Sequence, residues 1–99
     1  MKQIRWNEEK NELLKRERGV GFEEVLIAMD NRNLLDVLKH SDPKKYPNQR
    51  IFVVNIGQYV YLVPFVETDK EIFLKTIIPS RKATKIYLID KKLIGKKKK

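Results

Sequence analysis

Apolar residues recur at helical spacing as Phe22, Val25, Leu26 and Met29, and beyond residue 34 the period shortens to β-rich runs. That change divides the chain. Before the first helical run, Asn7 is a good N-cap, Glu8 and Glu9 suit the positive end of a helix dipole, and Gly19 supplies a stop. With Leu13 and Leu14 as its few apolar positions, this segment is expected to be helical over about 8–17, with Trp6 packing back on it. The second helix is expected over 22–31, broken by Asn31-Arg32-Asn33.

Four strands are expected next. Leu34 to Lys39 is a short one, and Ser41-Asp42-Pro43 with Tyr46-Pro47-Asn48 marks a loop. Arg50 to Ile56 turns through Gly57-Gln58 into Tyr59–Val66, a two-residue hairpin. Pro64 lacks a donor, so its strand should be an edge or bulged there. Thr68-Asp69-Lys70 leads into Ile72–Ile78 as the fourth strand. Ser80 then caps a helix starting at Arg81, with Ala83, Ile86, Tyr87 and Ile89 on its apolar face. The fold class this gives is α+β: two N-terminal helices, a four-stranded antiparallel meander sheet and a C-terminal helix. The helices should cover one sheet face and leave the other open and basic. Residues 1–94 form a single domain in this reading, and 95–99 a basic tail.

Charge sharpens the picture. Twenty-two Lys and Arg against 13 acids give +9, and more than half of that excess remains when Lys96–Lys99 are set aside. Acids cluster early (Glu8, Glu9, Glu12, Glu17, Glu23, Glu24) and bases dominate from Lys75 onward, a polarity suited to a polyanion or an acidic partner. The chain has no cysteine, no apolar run long enough to span a membrane, and no signal-peptide layout at its start, so it is expected to be soluble and cytoplasmic. Trp6, Phe22 and Phe52 are expected core anchors, and Lys96–Lys99 a tail with nonspecific attraction to nucleic acid.

One histidine and no cysteine exclude Ser-His-Asp and Cys-His sets beyond a lone His40, and there is no P-loop. No metal or other cofactor is expected, since His40 has only Asp36 and Asp42 as nearby ligand types. The remaining residues suit metal-free phosphodiester cleavage. That reaction needs activation of a 2′-hydroxyl, a donor for the leaving 5′-oxygen, and cations on the crowded phosphate. Lys44, Lys45, Tyr46 and Arg50 lie around the loop between the first two strands, with Tyr59 and Tyr61 on the third and Lys75 on the fourth. Arg81, and Lys82 beside it, stand at a strand-to-helix junction where Ser80 and backbone amides add anion donors. Tyr59 and Tyr61 share a strand face and could stack on a base, or be ordinary half-buried tyrosines.

The order of these motifs, Arg5-Trp6-Asn7 and Arg18-Gly19-Val20-Gly21-Phe22 early and Ile77-Ile78-Pro79-Ser80-Arg81-Lys82-Ala83 late, resembles the BrnT family of toxins from type II toxin–antitoxin pairs. The resemblance spans about residues 4–88. It implies a RelE/ParE-like fold, ribonuclease activity, and a cognate antitoxin whose acidic segment blocks the basic face, with RNA as substrate, no membrane, and a toxin–antitoxin hetero-oligomer. A family Tyr-x-x-x-Arg element is matched by Tyr46 and Arg50, and an Arg entering the last helix, followed closely by Ala, by Arg81 and Ala83. Arg81, Arg50 and Tyr46 are therefore the expected catalytic residues, and Lys44, Lys45, Lys75, Lys82, Tyr59 and Tyr61 the substrate-binding ones. Two family histidines are replaced, by Arg18 and Lys44, and a late-strand arginine falls near Thr76, with Lys75 one position off. His40 could supply the missing proton shuttle only if its loop folds it back. The competing expectation is a binding module of the same fold that holds nucleic acid or protein without cutting.

Overall fold

Residues 2–90 are described by a computed structural model. Helix α1 (Glu8–Arg18) begins where the Asn7 side chain accepts from the Lys10 N–H at 2.9 Å, and ends at Gly19, whose φ of 70° few other residues tolerate. Helix α2 (Phe22–Asp30) starts with the Glu24 carboxylate accepting from the Gly21 N–H. The two are riveted by Asn11, the one fully buried polar residue among those described. Its Oδ1 accepts from the Phe22 N–H at 2.8 Å and its Nδ2 donates to the Glu23 carboxylate at 3.0 Å. Gly21 allows this approach, because a Cβ there would meet Lys15, Asn11 and Glu23 atoms at 2.7–2.9 Å.

Six strands follow one path with a branch: β1 (Gln3–Trp6), β2 (Leu34–Lys39), β3 (Gln49–Ile56), β4 (Tyr59–Glu67), β5 (Glu71–Leu74) and β6 (Ile78–Pro79), in the order β1-β5-β4-β3-β2 with β6 beside β4. The α+β class holds, and β2 to β5 pair antiparallel as a meander. Gly57 and Gln58, both at φ near +60°, make the two-residue turn between β3 and β4.

Three details correct the sequence expectation. An extra strand, β1, runs parallel to β5, so the sheet is mixed and not a four-stranded meander. The expected fourth strand is broken in two. Pro64 is the cause: Lys75 donates to its carbonyl at 2.8 Å, but Pro64 has no N–H to return, and the ladder parts between β5 and β6. Pro64 thus pairs with β3 on one side and sits at the gap between the β5 and β6 ladders on the other, so β4 is locally an edge there, as its missing donor requires.

The third correction concerns the last helix. One sheet face, through Phe52, Val54, Val63, Phe65, Leu74 and Ile77, meets Leu14, Phe22, Val25 and Ala28 of the first two helices. The other face is not left open. Helix α3 (Arg81–Thr84), capped by Ser80, continues as a π-helical segment over Lys85–Asp90, and Ala83, Tyr87 and Leu88 pack with Val53, Val60 and Leu62. The Tyr87 hydroxyl donates to Asp36 at 2.8 Å and ties that segment to β2; the same bond pushes the phenol pKa up. The wider winding also moves the apolar face, leaving Ile86 and Ile89 exposed at 41% and 53%. The end of the expected domain, 91–94, and the tail, 95–99, lie outside the described residues.

Candidate functional site

The loop between β2 and β3 gathers a cationic hollow. Lys39 and Arg50 are directly opposed in the β2–β3 register, so their side chains leave the same face. One residue on, His40 is held by its N–H donating to the Gln49 carbonyl at 3.3 Å. The loop then doubles back: the Tyr46 N–H donates to the Asp42 carbonyl at 3.0 Å and the Gln49 N–H to that of Tyr46 at 3.2 Å. These turns fold His40 onto the Tyr46 ring, with centroids 4.6 Å apart. Lys39, His40, Tyr46, Pro47 and Arg50 line one hollow of about 230 Å³.

The imidazole is oriented as well as placed. The Asp42 N–H donates to His40 Nδ1 at 3.0 Å, so the neutral ring carries its hydrogen on Nε2. Lys45 stands 5.5 Å from the centre of the Tyr46 ring. Arg50 is fixed from two sides: its guanidinium lies over the Phe65 ring at 5.3 Å and pairs with Glu67. Glu67 also binds Lys2 at 2.6 Å, and these two cations hold its carboxyl below the usual glutamate range, Lys2 being the larger cause.

Of the expected catalytic residues, the structure brings Tyr46 and Arg50 together. It does not bring Arg81 to them. The Ser80 N–H donates to the Val60 carbonyl at 3.0 Å, whereas Arg50 is opposed to Phe65 at the other end of β4. Five residue steps along β4 separate those points, about 17 Å. Arg81 and Lys82 are exposed on the helix that covers the second face, while Arg50 is on the first. Lys75 is carried away too, lining a hollow against α1 with Lys10, Leu13 and Arg16. Tyr61, partly buried, packs against the core on the face that α1 and α2 cover, and meets Tyr59 edge to face, centroids 5.6 Å apart. Lys44 and Lys45 remain exposed on the loop beside Tyr46.

Three members of this region had no place among the expected site residues: Lys39, Lys2 and Glu67. Lys2 arrives because β1 docks beside β5, and the alternation Gln3-Ile4-Arg5-Trp6 was the available signal. No family model, curated protein or solved structure matches this chain.

Proposed function

We propose that this protein is a metal-independent ribonuclease of the toxin type, acting at the β2–β3 loop and restrained in its host by a cognate antitoxin. The observation that carries the reading is that His40, Tyr46, Lys39 and Arg50 line one hollow. Two opposed cations with a proton-carrying imidazole beside them are what an RNA phosphodiester requires. Arg50 and Lys39 neutralise the phosphate as its charge concentrates in the transition state. The substrate's 2′-oxygen attacks phosphorus, its proton passing to water. The P–O5′ bond breaks, and His40, protonated on both nitrogens once Nδ1 releases the Asp42 N–H, gives its Nε2 proton to the departing 5′-oxygen and regains one from water. The products are a 2′,3′-cyclic phosphate and a 5′-hydroxyl. Tyr46 holds the imidazole in place by its ring contact. Lys45 adds charge at the lip of the hollow, and Arg81 and Lys82 extend the basic surface on the other face without joining the chemistry.

Induced expression with growth and RNA integrity followed together tests the reading. Wild type should arrest growth and fragment RNA, with Tyr46→Ala, which removes the ring under His40, and Arg50→Ala each weaker. A wild type that leaves RNA intact while still binding it would replace the enzyme with a non-catalytic binding module of the same fold.

A further inference from the structure

Arg50 lines two hollows. The second, about 610 Å³, is also lined by Lys2, Asn48, Glu67 and Asp69, with Pro47 shared between both. Its volume falls within the range of about 300–1,000 Å³ typical of ligand clefts. Its charge is unlike that of the first. Lys2 and Arg50 are both engaged by Glu67, and Asp69 makes no side-chain hydrogen bond or ion pair among the described residues. The two cations and two carboxylates cancel, so the hollow offers a second phosphate no net attraction, while the unpaired Asp69 carboxylate accepts N–H donors.

We infer that this larger hollow is a base pocket for guanine in the nucleotide next to the scissile phosphate, read by Asp69. The inference rests on the ribonuclease reading for its choice of RNA. Guanine is the one RNA base whose Watson–Crick edge presents two neighbouring N–H donors, N1–H and N2–H, which match the two oxygens of a carboxylate. Adenine and cytosine place a ring acceptor beside their amino group, and that acceptor would face a carboxylate lone pair. Uracil offers one N–H between two carbonyls. The Asn48 amide supplies a donor for guanine O6, and the Arg50 guanidinium and Pro47 ring give flat surfaces for stacking. A guanine here and a phosphate in the smaller hollow would then both contact Arg50.

Labelled RNA tetranucleotides of uridine with one guanine or one adenine, methylated on the 2′-oxygen at the scissile step, test this by fluorescence anisotropy. The full chain and Asp69→Asn are compared; the exposed turn should tolerate that change, and circular dichroism checks it. The guanine probe should bind wild type about tenfold tighter than the adenine probe. Asp69→Asn should erase that advantage and leave the adenine probe unchanged. Equal binding of both probes, or an equal loss of both in Asp69→Asn, overturns the base pocket, and cleavage without base preference overturns it while leaving the ribonuclease standing. Guanine preference without cleavage of unmethylated RNA supports the pocket and removes the enzyme. No binding by either probe removes both. GMP alone binding as tightly as the tetranucleotide would make the hollow a free-nucleotide site and overturn its assignment to RNA.

Discussion

Lys39 on β2 and Arg50 on β3 stand directly opposite each other on one face of the sheet. Like charges in that relation destabilise a sheet, and Glu67 relieves only the Arg50 side. A bound phosphate would relieve both. Lys39→Thr should therefore stabilise the free protein by about 0.2–1 kcal/mol at low salt, while weakening RNA binding. Urea unfolding at low and high salt checks the first half, because the gain should shrink as salt screens the pair. A less stable Lys39→Thr would show that the cation has a structural partner.

Asn11 should be costly to remove. Asn11→Ala leaves the buried Phe22 N–H without an acceptor, a loss of about 1–3 kcal/mol in chemical denaturation. It also changes the acid limb. The Asn11 hydrogen bond is the largest cause holding the Glu23 carboxyl below its ordinary value, ahead of its own backbone and Lys15. A carboxylate lowered in this way contributes stability above its unfolded pKa and loses it as pH falls through the folded one. Asn11→Ala should lose less stability than wild type on moving from pH 6 to below pH 4. An unchanged acid slope would separate Glu23 from Asn11.

Arg81→Ala should weaken RNA binding evenly across sequences and make the salt dependence shallower by about 0.7 in log–log slope, the value for one phosphate contact to a single strand. Cleavage at saturating RNA should stay unchanged. A collapse of that rate would return Arg81 to the catalytic centre despite its place beyond the far end of β4.

Most of the fold was legible because local signals agreed with tertiary ones. Asn7, Gly19, Ser80 and the Gly57-Gln58 turn each sit where the sequence placed them, since caps and turns are set by a few adjacent atoms. What escaped depends on distant partners. β1 is four residues whose strand character comes from docking on β5. The break opposite Pro64 appears in a different strand from the proline. The exposure of Ile86 and Ile89 follows from π winding, which an α-period reading cannot anticipate. In the candidate site, Tyr46 and Arg50 were named through the family resemblance and lie in one hollow, and His40 hung on how its loop folded. Arg81 was placed by motif, and three-dimensional distance separates it from the rest.

The most direct measurement is cleavage of a structureless RNA by purified wild type and His40→Ala, at saturating RNA with chelator present to keep divalent metal out. The account predicts cyclic-phosphate products from wild type and a rate about 10²- to 10⁴-fold lower in His40→Ala, with RNA affinity and circular dichroism unchanged. His40→Ala cutting as fast as wild type, or a wild type that binds the RNA and never cuts it, would contradict the account.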